Sequence, residues 1–212
     1  MIATSSDGNT WTQAGNVGGL TTYGRGVAYG KDGAGQGLWV AVGPGGIIVK
    51  SSDGNLWSTA GNVGSLGNGV SGVAYGKDGL GAGLWVAVGD GTKIATSPDG
   101  NTWTAAGNVG GITTGYGVAY GKDGVGAGLW VAVGIGGIIA KSSDGNTWTQ
   151  AALKGGITLG LGVSYGTGTG LWVAVGQGTS IAKSSDGNTW TAAGSTGGIA
   201  TGRGIAFKNE IV

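Results

Sequence analysis

Five copies of one turn punctuate this 212-residue chain, and each ends on a tryptophan. They read Ser-Ser-Asp-Gly-Asn-Thr-Trp11, Ser-Ser-Asp-Gly-Asn-Leu-Trp57, Ser-Pro-Asp-Gly-Asn-Thr-Trp103, Ser-Ser-Asp-Gly-Asn-Thr-Trp148 and Ser-Ser-Asp-Gly-Asn-Thr-Trp190. The tryptophans lie 46, 46, 45 and 42 residues apart. That period is too long for one strand or helix and too short for an independent domain. It suits a supersecondary unit that buries its faces against its neighbours. Glycine supplies 54 residues, yet proline supplies only 2, the apolar fraction is 40% and nine tryptophans recur at fixed places. Disordered chains lack that aromatic and β-branched content.

One unit, residues 26–61, reads as four strands. Val27-Ala28-Tyr29 is a short apolar run, followed by a polar Lys-Asp-Gly turn. Leu38-Trp39-Val40-Ala41-Val42 is apolar throughout, Ile47-Ile48-Val49 follows a glycine turn, and Asp53-Gly54 introduces the strand around Trp57. Asp-Gly is a strong hairpin signal because it accepts positive φ. Leu-Trp-Val-Ala-Val recurs intact at 38–42, 84–88, 129–133 and 171–175. A strand with one wet face alternates, so this one is expected to be buried on both sides, its tryptophan included. Blades packed face to face around an axis supply that environment.

The expected fold is therefore all-β: a five-bladed β-propeller of four-stranded antiparallel blades, in one domain spanning 1–212. Blades are expected at 26–61, 72–107, 117–152 and 162–194, with a composite fifth from 204–212 plus 1–15. In that blade Ile205-Ala206-Phe207 and Glu210-Ile211-Val212 are the inner strands, and the outer two come from Ile2-Ala3-Thr4 and the segment around Trp11. Two strands from each terminus would close the ring and cover its sheet edges.

The five turns resemble the Asp box of bacterial neuraminidase-repeat propellers, Ser/Thr-x-Asp-x-Gly-x-Thr-Trp, within repeats that cover nearly the whole chain. Here the glycine follows the aspartate directly, one residue early. The resemblance implies a structural role, remote from any ligand site, for Asp7, Asp53, Asp99, Asp144 and Asp186 and for Trp11, Trp57, Trp103, Trp148 and Trp190. One carboxylate per turn is also thin for calcium, which takes six to eight oxygens.

Composition closes off most chemistry. The chain has no histidine and no cysteine, so imidazole catalysis, thiolate ligation and disulfides are excluded, and no metal or cofactor is expected. A sialidase-like site is not expected either, because the only arginines are Arg25 and Arg203 and the only glutamate is Glu210. Eight of nine aspartates sit in repeated turns: the five above, and Asp32, Asp78 and Asp123 in Lys-Asp-Gly loops. Those loops lack the following helix that a phosphate loop needs. Net charge is +1, with no basic face for nucleic acid. No apolar stretch reaches membrane-helix length, and Met1 leads almost directly into a strand, so neither membrane insertion nor a signal segment is expected. The compartment stays open, and a monomer is expected.

The repeats disagree in two places, between the second and third strands and between blades. In an up-and-down blade both connections emerge on one face of the ring, where binding residues commonly lie. Tyr23, Arg25, Asp90, Tyr116, Gln177 and Arg203 are the candidate ligand contacts. The leading expectation is a non-enzymatic, lectin-like module binding carbohydrate through these loops. Two alternatives are a structural or scaffold domain of an appendage or virion surface, and an engineered or recently amplified repeat without a specific ligand.

Overall fold

A computed structural model describes residues 2–63, 66–67, 69–91 and 93–207. The chain opens with a hairpin of β1 (Ala3–Thr4) and β2 (Thr12–Gln13), then β3 (Asn16–Val17). The first blade comprises β4 (Gly26–Lys31), β5 (Gly37–Val42), β6 (Ile48–Ser51) and β7 (Leu56–Thr59). The second comprises β8 (Val70–Lys77), β9 (Gly83–Gly89), β10 (Lys93–Ser97) and β11 (Thr104–Ala105), and β12 (Asn108–Val109) follows. The third has β13 (Gly115–Lys122), β14 (Gly128–Gly134), β15 (Ile139–Ser142) and β16 (Thr147–Gln150). After β17 (Leu153–Lys154), the fourth has β18 (Ile157–Gly166), β19 (Leu171–Gly178), β20 (Ile181–Ser184) and β21 (Thr189–Ala192). Within each blade the four strands run in sequence order as an antiparallel meander.

The two faces of the Leu-Trp-Val-Ala-Val strand explain why blades stack. Leucine and the two valines point one way, tryptophan and alanine the other, by the two-residue period of a strand. Leu38, Val40 and Val42 of the first blade share a core with Trp85 and Ala87 of the second. Val86 and Val88 meet Trp130 and Ala132, and Leu129, Val131 and Val133 meet Trp172 and Ala174. Each buried tryptophan also donates its indole N–H to the preceding blade: Trp85 to the Lys31 carbonyl, Trp130 to Lys77 and Trp172 to Lys122, at 2.7–2.8 Å. Directly opposite on the first strand stands a tyrosine, its ring tilted on the indole at 4.8–4.9 Å between centroids.

Close approach of the inner strands depends on glycine. A Cβ at Gly30, Gly76 or Gly121 would lie 2.2–2.3 Å from Cγ of Tyr75, Tyr120 or Tyr165 in the next blade. Nearer the axis, Gly26, Gly72, Gly117 and Gly162 each pack on the next inner segment, whose last member is the stretch around Gly204.

The Ser-x-Asp-Gly-Asn turns are built alike. Asp53 Oδ1 accepts the N–H groups of Asn55 and Leu56 at 2.8 Å and the Ser51 hydroxyl at 2.8 Å. Ser51 Oγ accepts the Gly54 N–H, and the Trp57 indole donates to the Gly54 carbonyl. The asparagine reaches outward. Asn55 Oδ1 accepts the Gly15 N–H, Asn101 that of Gly61, Asn146 that of Gly107 and Asn188 that of Ala152. Beyond each clasp the chain runs parallel to the next blade's outer strand: β3 with β7, β12 with β16, β17 with β21, and a single Asn62–Thr102 bridge at the second blade. Three blades are therefore five-stranded sheets, a crossing that the four-strand reading omitted.

Two expectations are corrected. Residues 205–207 form no strand. They lie beside the fourth blade, with Phe207 against Gly166 and Gly202 N–H donating to the Gly176 carbonyl. The four Leu-Trp-Val-Ala-Val strands pair with β4, β8, β13 and β18. Glu210–Val212 lie outside the described residues. Two-sided burial also fails for one copy. Trp85, Trp130 and Trp172 are fully buried, but Trp39 is 37% exposed because no Leu/Val face of a preceding strand covers it among the described residues. Trp11 is likewise 63% exposed, against 4% or less for its four counterparts.

The carboxylates of all five turns are held below the ordinary aspartate range. For Asp7 and Asp53 the cause is the backbone N–H bonds from Thr10 and Asn9, and from Leu56 and Asn55. For Asp99, Asp144 and Asp186 partial burial pushes upward most, but the combined N–H and serine bonds outweigh it. A depressed folded-state pKa stabilises above the unfolded value, about 3.9, and that stability is lost as pH falls through the folded values. With no histidine to titrate, the urea midpoint is expected to stay level between about pH 5 and 8 and to fall below about pH 4. A midpoint unchanged to pH 2 would contradict this. Trp85→Ala is expected to cost about 3–5 kcal/mol. Trp39→Ala should cost about 1–2 kcal/mol, since less burial is forfeited. Equal losses in urea denaturation would show that the first blade's face is covered in solution.

Candidate functional site

The turns between second and third strands are bonded to the segments that enter the first strands, so both sets of variable loops share one end of the blades. Pro44 bridges to Gly69 and Asp90 to Thr114, and Thr179 N–H donates to the Gly156 carbonyl. Three candidates converge here. The Arg25 guanidinium lies 5.7 Å from the centroid of the Tyr23 ring, and its Nη2 donates to the Tyr23 hydroxyl at 3.4 Å. Its Nη1 donates to Ser71 Oγ at 3.3 Å. Asp90 approaches the same spot: a Cβ at Gly69 would stand 2.6 Å from Asp90 Oδ2 and 2.8 Å from Arg25 Nη1. Glycine at 69 thus leaves the space between cation and carboxylate open. Tyr23 and Arg25 are exposed and Asp90 half-buried.

The other candidates are spread around the ring. Tyr116 and Arg203 precede Gly117 and Gly204 as Arg25 precedes Gly26, so these three occupy equivalent places, with Ser71 and Leu161 in the remaining two. Gln177 is exposed at the end of β19, paired with Leu159 in the fourth blade's ladder. The structure therefore joins Tyr23, Arg25 and Asp90 and leaves Tyr116, Gln177 and Arg203 on other blades.

Two residues escape a reading by residue type. Ser71, nearly buried, orients Arg25. Ser180 is buried with a positive φ of 64°, and its hydroxyl donates to the Ala200 carbonyl at 2.9 Å. A non-glycine side chain at such φ is uncommon. It stands where other copies carry Ile47, Lys93 and Ile138, and that departure was the available signal.

Little of the acidic inventory is free for chemistry. Asp32, Asp78 and Asp123 each accept two backbone N–H groups of their own loops, as the five turn aspartates do. No cluster of metal-ligating side chains occurs among the described residues. A further concavity, a trough of about 740 Å³, lies between the N-terminal hairpin and the first blade, with Arg25 among its lining residues. A second, of about 520 Å³, lies among Lys77, Asp78, Tyr120 and Lys122 by the Lys-Asp-Gly loops.

No protein-family model and no curated protein matches the chain. Solved structures do. The chain is similar to one in a nidogen/laminin complex, at 18% identity over 79% of this chain and 63% of that one, with a TM-score of 0.57. It is similar to a GH74 enzyme of Niastella koreensis, at 18% identity over 90% of this chain and 26% of that one, TM-score 0.55. An ancestral GH74 enzyme gives 13% identity, 92% and 26% coverage, and a TM-score of 0.60. The chain spans under two thirds of each of these neighbours. At such identities the likeness carries the fold alone, and with the stacked meanders above, that fold is an all-β propeller.

Proposed function

We propose that this chain is a non-enzymatic binding module that takes carbohydrate on the loop end carrying Tyr23, Arg25 and Asp90. The observation behind this reading is the exposed Tyr23 ring, braced by a guanidinium and set near an open carboxylate. An aromatic face packs on the apolar side of a sugar ring, while fixed donors and acceptors orient its hydroxyls. The non-enzymatic part rests on chemistry: the chain has no histidine and one glutamate, and eight of nine aspartates serve their own turns. In this reading the five Asp-Gly-Asn turns act as Asp boxes of a five-bladed ring whose fifth blade is founded on the N-terminal hairpin. Equivalent weak sites around such a ring would add avidity on a glycan-coated surface. The second reading, a scaffold domain, is favoured by the apolar surface of the first blade and of the hairpin.

The test is a glycan array followed by calorimetry on the best binders. Saturable binding is expected, weakened at least roughly tenfold by Tyr23→Ala and by Asp90→Ala. Unfolding should move little, because surface substitutions usually stay within about 0.5 kcal/mol. An empty array with flat calorimetry would leave the scaffold reading in its place.

A further inference from the structure

Eight of the nine aspartates hold backbone N–H groups of their own loops. The ninth, Asp90, does not. Its carboxylate is half-buried just beyond β9 and accepts no hydrogen bond among the described residues. Arg25 lies on the other side of Gly69 without closing an ion pair to it. The guanidinium is held instead by two hydroxyls, Nη1 donating to Ser71 Oγ at 3.3 Å and Nη2 to that of Tyr23 at 3.4 Å. Each of these nitrogens carries a second N–H, so Nη1 keeps one donor to offer.

The slot between the two charges depends on one residue. Gly69 precedes Val70-Ser71-Gly72, and the other copies carry Tyr23, Thr114, Leu159 and Thr201 in its place. Its φ lies outside the left-handed region, so the backbone conformation does not require glycine. What a side chain there would do is fill the slot: the three atoms nearest to a Cβ are Asp90 Oδ2 at 2.6 Å, Arg25 Nη1 at 2.8 Å and Asp90 Cγ at 3.4 Å. The floor is fixed from both blades. The Gly69 carbonyl accepts the Asp90 N–H at 2.9 Å, Val70 N–H donates to the Gly43 carbonyl at 3.1 Å, and Pro44 bridges to Gly69. Thus the one copy that brings a free carboxylate to this place is also the copy that leaves room beside it.

A guanidinium only donates and a carboxylate only accepts. A group lying between them must therefore accept on one side and donate on the other. A ligand carboxylate or phosphate would suit Arg25 but meet the like charge of Asp90, and an ammonium would suit Asp90 but meet Arg25. A hydroxyl does both with one oxygen and brings no charge. We infer that the Arg25–Asp90 slot seats one uncharged hydroxyl of the ligand, which accepts from Arg25 Nη1 and donates to Asp90 Oδ2 above Gly69. The site then selects neutral sugars over acidic ones. This rests on the carbohydrate reading above and narrows it: Tyr23 covers the apolar face of the ring, and the slot reads a single hydroxyl. Charge-assisted hydrogen bonds of this kind are the stronger ones, and half-burial raises the cost of leaving either partner unmatched.

The probes are the methyl glycosides of glucose, galactose and mannose, their monodeoxy analogues and the matching methyl uronosides, titrated into the full chain by ligand-observed NMR. At least one neutral hexoside is expected to bind. One of its monodeoxy analogues should bind at least roughly tenfold more weakly, because a site built around a hydroxyl rejects the analogue lacking it. In Gly69→Ala, whose new methyl meets only side-chain ends, the parent hexoside should fall to the level of that analogue. Deleting the same hydroxyl should then cost nothing more, and Asp90→Ala should give the same coupling. Affinity for the neutral sugar should change less than about twofold between low and high salt, since no ligand charge is involved. A hexoside that binds Gly69→Ala as tightly as the parent chain, or a deoxy loss that persists in both variants, would overturn the inference and leave the carbohydrate reading standing. Tighter binding of a uronoside, weakened by salt, would do the same and give Arg25 to an acidic sugar. Binding of none of these sugars would overturn both.

Discussion

Everything in this molecule depends on one contact, the Leu/Val face of a second strand pressed on the Trp/Ala face of the next. The face is flat enough to repeat because large and small side chains alternate across it: indole against valine methyls, alanine under leucine. Close packing then fixes the spacing of the inner strands, and glycine becomes obligatory where tyrosine rings such as Tyr75 and Tyr120 lie on backbone. A single blade has two such faces and can satisfy neither alone. Burying one tryptophan therefore requires the neighbouring blade, and stability belongs to junctions more than to sheets.

The turns add a directional element to that stacking. Aspartate and serine spend their bonds inside the turn, holding Asp-Gly in shape, while asparagine bonds to the chain leaving the previous blade. A short parallel pairing such as Asn16 with Leu56 follows at once. Each turn thus couples its own blade to the one before it, and the tryptophan three residues from the glycine packs beneath. The early glycine, which sets these turns apart from the Asp-box pattern, is followed by the residue that makes the clasp.

Repetition made most of the fold legible and hid its exceptions. Leu-Trp-Val-Ala-Val without polar alternation implied burial on two faces, and at Trp85, Trp130 and Trp172 that holds. Trp39 has the same neighbours in sequence, so nothing local distinguishes it; it is exposed because no Leu/Val face covers it among the described residues. Residues 205–207 read like a first strand by type, yet they form none, and Phe207 lies against Gly166 of the fourth blade. The parallel crossings were illegible for another reason: two-residue strands such as Asn16–Val17 carry no periodicity. At the candidate site, loop variation pointed to Tyr23, Arg25 and Asp90, but Ser71 was visible only through its bond to Arg25.

Symmetry also explains where binding chemistry can reside. A feature present in all five copies, such as the turn aspartate, is already engaged in holding its blade and offers the same surface everywhere. Distinct chemistry arises where one copy departs from the others. Arg25 stands where other copies have serine, tyrosine, leucine or a second arginine, and Asp90 where they have proline, isoleucine or glutamine; among the described residues these two meet between the first and second blades. The trough arises from the same logic applied to packing. Its walls are ordinary blade surface, Val27, Tyr29 and Trp39, which no Leu/Val face covers among the described residues.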